Sequence, residues 1–148
     1  MKKTLLILAA MVFAVTACEK NTYVDGNYSA TYDNPDANGW KAFVEFTLTD
    51  DQISDVDYDE INTDDDLKST DTEYHALMAS MRDTDPSIFI PQIEAAIANT
   101  SILPNYDLID AITGATGSSN NANELMEAAL DAAIDGEPTV VIPQPDQK

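Results

Sequence analysis

The chain has 148 residues, with 27 acidic and 7 basic side chains, a formal net charge of −20 and a single cysteine, Cys18. Such a charge argues against nucleic acid as a ligand, and one cysteine excludes an internal disulfide. The length suits one domain with a sizeable core and no second domain.

At the N-terminus, Lys2 and Lys3 precede an apolar run from Thr4 to Val15, shorter than the roughly 20 residues that a spanning helix needs. Residues 1–17 are therefore predicted to be an export signal. Val15-Thr16-Ala17-Cys18 resembles the bacterial lipobox, in which the cysteine is diacylated and becomes the first mature residue. A plain signal-peptidase cut beside an idle Cys18 is the competing reading. Two acyl chains anchor stably where one does not, so a lipidated Cys18 would tether the domain by a lipid anchor with residues 18–25 as the tether. Cleavage leaves 131 residues and removes two cations and no acid, so the charge becomes −22. That field repels anionic headgroups and favours cationic protein partners, although solubility alone is a common reason for an acidic surface.

Tyr28, Ala30 and Tyr32 alternate on one face, as do Trp40, Ala42, Val44, Phe46 and Leu48, which predicts strands with one buried side. Asp33-Asn34-Pro35 and Asn38-Gly39 mark the loop between them, and Asp50-Asp51 marks a turn into a third strand from Ile53 to Ile61. A three-stranded antiparallel meander is the simplest arrangement. The alternation Asp55, Asp57, Asp59 begins like a calcium loop, but Glu60 stands where the sharp turn needs glycine and Asp66 where a bidentate glutamate is expected. A strand with an acidic solvent face explains the same pattern, and no metal site is assigned.

Thr70-Asp71-Thr72-Glu73 has capping-box spacing, followed by Tyr74, Leu77, Met78 and Met81 at helical spacing; the periodicity alone favours core packing for the Met and Tyr residues over a cofactor cradle. His75, the sole histidine, reads as structural or surface. A second helix is expected from about Pro91 to Ala98, with proline in its first turn and Ile93 and Ile97 facing inward. Pro104 interrupts any regular element beyond that helix, and Ile102 to Ile109 should return as an extended segment. The last helix carries Ala122, Leu125, Met126, Ala129, Leu130, Ala133 and Ile134 as an apolar stripe, with Gly136 as its C-cap. Residues 137–148, with three prolines and no periodicity, read as a flexible tail. The expected class is α+β: a small antiparallel sheet packed with about three helices.

Between the extended segment and the last helix lies Asp110-Ala111-Ile112-Thr113-Gly114-Ala115-Thr116. Gly114, Ala115 and Gly117 have little bulk, so the Thr116 hydroxyl can stand out on a tight turn. A helix starting near Ser118 to Asn121 would offer free N–H groups to a phosphate, worth about 0.3–1 kcal/mol. By composition alone, the same residues also suit a plain turn leading to a helix cap. No dinucleotide fingerprint, phosphate loop or hydrolase elbow is present.

The seven residues resemble the acceptor motif Asp-x-x-(Ser/Thr)-Gly-Ala-Thr of the FMN-binding domain family, which includes the C subunit of the sodium-pumping NADH:quinone oxidoreductase and the G subunit of Rnf complexes. Asp25-Gly26-Asn27-Tyr28, Gly39-Trp40-Lys41 and the strand-turn-strand pattern around residues 51–57 extend the likeness to roughly Gly26–Ile134, giving a domain over residues 26–136. The resemblance implies FMN joined through its phosphate to Thr116 by a separate flavin transferase, in a flavin-attachment loop preceding the last helix. Asp110, Thr113, Gly114 and Ala115 would form the recognition and flavin environment. A free threonine hydroxyl needs an activating base or metal, which that transferase would bring. The implied role is an electron carrier, not an enzyme with its own substrate, outside the cytoplasm on a bacterial membrane. It would take electrons from a membrane quinol or flavoprotein and pass them to an external acceptor. The respiratory subunits carry a transmembrane helix where this chain has Cys18. The alternative from another class is a flavin-free surface lipoprotein binding a cation or a protein.

Overall fold

A computed structural model describes residues 22–145; Cys18, the signal and lipobox, and the last three residues of the chain lie outside the described residues. Strands β1 (Gly26–Tyr32), β2 (Lys41–Thr49) and β3 (Gln52–Ile61) form the expected antiparallel meander. The β2–β3 turn is a two-residue hairpin loop in which Asp50 and Asp51 both take positive φ, 51° and 55°, matching the twist of the flanking strands. Asp51 accepts hydrogen bonds from the amides of Thr22 and Tyr23 at 2.9 Å each, tying the start of the described chain to this turn.

A fourth strand, β4 (Thr139–Ile142), lies in the region that reads from sequence as a tail; it pairs parallel to β1, giving a mixed sheet ordered β3-β2-β1-β4. Four residues are too few to show a period, and three prolines around them mask a β-branched run. The pairing partner lies more than a hundred residues away in sequence, so no local signal announces it.

Helix α3 (Thr116–Ile134) covers one face of the sheet. Its Ala122, Leu125, Met126, Ala129, Leu130 and Ala133 are buried with Tyr28, Ala30, Tyr32, Val44, Phe46 and Leu48 in one core, the strand and helix periods having predicted both faces. Ile134, assigned to the same stripe, is instead half-exposed at the helix end. Gly136 follows the C-cap Asp135 with φ 74°, the left-handed conformation that ends helices.

Helix α2 (Pro86–Ala98) begins a turn earlier than predicted, because Asp85 caps it by accepting from the Ser87 amide. Pro91 therefore sits inside the helix, not in its first turn. The helix packs along β3 and buries Phe89, Ile90, Ile93 and Ile97. Glu94 accepts from the Tyr58 amide at 3.2 Å, so α2 satisfies an N–H on the outer edge of the sheet. Residues 102–109 form no strand; Ile102 and Ile109 are buried, and Asn123 on α3 bonds both the amide and the carbonyl of Ile109. Tyr106 donates to Asn123 as well, at 3.1 Å.

Helix α1 (Thr72–Met81) departs furthest from expectation. Asp71, not Thr70, is its N-cap, accepting from the amides of Glu73 and Tyr74, while the Thr70 hydroxyl donates to the Leu67 carbonyl. None of its residues is buried, and Leu77 and Met81 are exposed. His75 bonds the Lys68 carbonyl at 3.0 Å, joining α1 to a short 3-10 helix over Lys68–Thr70, which is a structural role.

Candidate functional site: a cleft at the start of α3

The segment before α3 is a tight turn. The Ala115 amide donates to the Ile112 carbonyl at 2.9 Å, and Gly114 holds φ 80° at the third turn position, the type II geometry that glycine suits. A Cβ on Gly114 would also collide with Cγ2 of Thr84, so conformation and space both demand glycine. Buried Ser119 locks the turn from within the helix: its Oγ accepts from the Ile112 amide and donates to the Ala115 carbonyl. Asn123 fixes the residues upstream.

Helix α3 begins at Thr116, ahead of the predicted Ser118–Asn121 start, with Ala115 as an N-cap that supplies no side-chain hydrogen bond. Thr116 is thus the first residue of the helix, exposed, and its neighbour Gly117 has open space where a Cβ would be. The N–H groups of this first turn have no side-chain cap, which leaves them available to an anion.

Thr116, Gly117 and Ser118 line a cleft of about 420 Å³, together with Tyr74, Met78, Lys68 and Glu60, within the usual range for small-molecule sites of about 300–1,000 Å³. Tyr74 and Met78, favoured as core residues by their spacing, both line the cleft, and Met78 also packs against the edge of the core. Gly114 and Ala115 also line it, whereas Thr113 lines an adjoining depression beside Thr84 and Ile88. Asp110 is exposed and borders neither. The motif residues thus divide: Gly114, Ala115 and Thr116 meet at the cleft, and Asp110 and Thr113 do not line it.

A buried polar cluster lies under the cleft. Lys68 Nζ is 2.5 Å from Glu60 Oε2, with both side chains at least nine-tenths buried. The Ser118 hydroxyl donates to Glu60 Oε1 at 2.5 Å, and the Tyr58 hydroxyl donates to the Ser118 carbonyl at 2.9 Å. Burial pushes the Tyr58 hydroxyl well up, with the Glu60 carboxylate adding to it, so the phenol stays a donor. The Lys68 ammonium also lies 5.4 Å from the Trp40 ring centroid and 5.0 Å from that of Tyr74, a cation within range of both aromatic rings. The two rings meet edge to face at 5.7 Å. Arg82 borders the cleft from the end of α1 and donates to the Gly114 carbonyl at 3.2 Å; among the described residues no carboxylate pairs with it.

Lys41, Lys68 and Arg82 are the cations among the described residues, and two of the three border this cleft. In so acidic a chain that placement is the signal which sequence reasoning passed over. The acidic alternation of β3 hid Glu60. Glu45 pairs with Asp57 and Thr47 with Ser54, so Asp55 and Val56 together oppose Phe46 in a bulge, and Asp55 has φ 51°. One extra residue switches faces, bringing Tyr58 and Glu60 inward. Asp59 is buried as well, accepting from the amides of Glu60 and Ser69. It does not join Asp55 and Asp57 in an ion-binding loop, and among the described residues no cluster of three or more His, Cys, Asp or Glu is placed to hold a metal.

A family model described as "FMN-binding domain" matches residues 39–131, which contain most of the cleft. The chain is 32% identical over 126 residues to a 15 kDa lipoprotein of Treponema pallidum (strain Nichols), covering 85% of this chain and 87% of that protein. It also superposes on the crystal structure of the CPE2226 protein from Clostridium perfringens, with a TM-score of 0.75 and 30% identity over 83% of this chain and 99% of that one. Among the described residues, no helix is long and apolar enough to cross a membrane.

Proposed function

The chain belongs to the FMN-binding domain family, and from this premise we propose that it is a lipid-anchored, extracytoplasmic electron carrier with FMN esterified to Thr116. The observation that carries the reading is the position of Thr116: an exposed hydroxyl at the first residue of an uncapped helix, on the rim of a cleft of about 420 Å³ that also holds Lys68 and Tyr74. These residues fit the cofactor. Open space beside Gly117 leaves room for the ester, the helix start favours its negative charge, and Tyr74 offers an aromatic face to a planar ring.

Bound flavin would supply one- and two-electron chemistry, while the protein supplies position and electrostatics. Ser119 and Asn123 hold the acceptor turn; Gly114 permits its shape; Arg82 braces it through the Gly114 carbonyl. Asp110, the one acid in the window, is exposed and does not line the cleft, which suits activation of the Thr116 hydroxyl by a separate flavin transferase. Asp110 and Thr113, which do not line the cleft, suit recognition by that enzyme better than contact with the ring.

Tethering rests on the lipobox at Cys18 and on the likeness to a lipoprotein. Cys18→Ala should move the mature protein from the membrane to a soluble or unprocessed pool and abolish labelling by a fatty-acid analogue. Equal labelling of both forms would remove the anchor. The donor would be a membrane quinol or flavoprotein and the acceptor an external oxidant or second carrier. Expression with a flavin transferase should yield yellow protein whose fluorescence survives a denaturing gel. Colourless protein from such a host would instead favour a flavin-free binding lipoprotein.

A further inference from the structure

We infer that the buried pair Lys68–Glu60 sets the reduction potential of the cofactor, with Lys68 as the stabilising charge and Glu60 as its attenuator. This rests on the reading of the cleft as the FMN site. Three observations meet here. First, both side chains line the cleft that carries Thr116 although each is at least nine-tenths buried, so their charges act through protein more than through water. Second, the ammonium is fixed: Glu60 holds it at 2.5 Å, and the rings of Trp40 and Tyr74 flank it at 5.4 and 5.0 Å. Third, Glu60 is itself held by the Ser118 hydroxyl from the helix that begins at Thr116. A contact between the pair and the acceptor helix thus ties the position of the charge to the position of the attachment point.

Burying an ion pair is costly and is often no gain over apolar residues of similar size. A structural account of this pair would leave its placement at the cleft unexplained. An electrostatic one does not. Uptake of two electrons from the donor and one proton from solvent leaves the flavin ring with one more negative charge, and a nearby fixed cation stabilises that reduced form more than the oxidised one. Lys68 is the buried cation that lines the cleft, and the Glu60 carboxylate opposes part of its effect. The pair is a positioning and tuning element; it forms no bond with the cofactor.

The two halves must therefore shift the potential in opposite directions. Wild type, Lys68→Met, Lys68→Arg and Glu60→Gln are coexpressed with a flavin transferase, loading is read by intact mass, and midpoint potentials are measured by spectroelectrochemistry at pH 7. Lys68→Met should lower the potential, Lys68→Arg should stay near wild type, and Glu60→Gln should raise it. Should Lys68→Met fail to fold because Glu60 is left alone, the double variant Lys68→Met/Glu60→Gln buries no unpaired charge, differs from Glu60→Gln only in the Lys68 charge, and should lie below Glu60→Gln. Loaded variants with coincident potentials, or with shifts of the same sign for Lys68→Met and Glu60→Gln, overturn this inference and leave the flavin reading intact. A wild-type protein without the adduct overturns the flavin reading and this inference with it.

Discussion

Helices α3 and α1 border the same cleft and read alike in sequence, yet they do opposite work. Each has apolar residues at helical spacing behind an N-terminal polar cluster. In α3 the stripe is buried against β1 and β2, and the helix is the keel of the fold. In α1 no residue is buried, Leu77 and Met81 face solvent, and only Tyr74 and Met78 turn toward the cleft. Periodicity reports which side of a helix is apolar; it does not report whether anything covers that side. The difference lies in which part of the chain comes to stand opposite each helix, a matter of topology and not of local pattern.

Substitutions can sharpen that contrast. The largest effect is expected at Leu130, which is 2% exposed in the α3 stripe. Leu130→Asp should destabilise the domain by about 3–5 kcal/mol, since an unpaired charge is forced into an apolar site. Chemical denaturation would measure this, and an unchanged midpoint would mean that α3 is not the keel. Gly114→Ala should cost about 1–3 kcal/mol, from the left-handed backbone and from the contact with Thr84, and should also impair flavin loading by distorting the turn. At the small end, Leu77→Asp on α1 should change stability by no more than about 0.5 kcal/mol, as for other exposed positions. A loss approaching that of Leu130→Asp would erase the distinction between the two helices.

Acidity offers a softer probe of the polar side of the molecule. Burial raises the carboxyls of Asp59 and Glu94 above their ordinary range, against opposing hydrogen bonds. A carboxyl whose folded value is raised binds its proton more tightly when folded. Its contribution to stability is therefore full below the unfolded value and lost as pH rises through the folded one. Self-repulsion in a chain of formal charge −20 works in the same direction. Asp85 opposes them: the Ser87 hydrogen bond lowers its carboxyl, so its contribution is lost only as pH falls through that depressed value. The melting temperature should thus rise modestly between pH 8 and pH 5, and a fall over that interval would contradict the account.

Much of the frame was legible because strands β1 and β2 and helix α3 each have one face in the core and one in water, which stamps a period on the sequence. Tyr28, Ala30 and Tyr32 alternate, and Ala122 to Ala133 recur by turns, for that reason. The hidden part is non-local. The strand Thr139–Ile142 is paired with β1, more than a hundred residues away in sequence. Glu60 turns inward only because a bulge shifts β3, and Lys68 is unremarkable until Glu60, Trp40 and Tyr74 surround it. For the candidate site the motif pointed to Gly114, Ala115 and Thr116, which meet at the cleft. The residues that hold the turn, Ser119 and Asn123, are polar side chains inside a helix and carry no signature of their own.

Thr113 provides a finer distinction within the motif, since its side chain is exposed and borders the adjoining depression instead of the cleft. Thr113→Val should reduce loading in part and leave the proposed attachment point unchanged, whereas Thr116→Val removes the hydroxyl through which the ester is proposed to form. Valine keeps the β-branched shape, and an exposed first helical turn should tolerate it within roughly 1–2 kcal/mol, so a loss of adduct reports chemistry and not folding. Intact mass spectrometry after coexpression with a flavin transferase decides the matter. Wild type should be heavier than its processed chain by one FMN less one water, and Thr116→Val should be folded and lack that increment. A Thr116→Val protein carrying the adduct at the wild-type level would contradict attachment at Thr116.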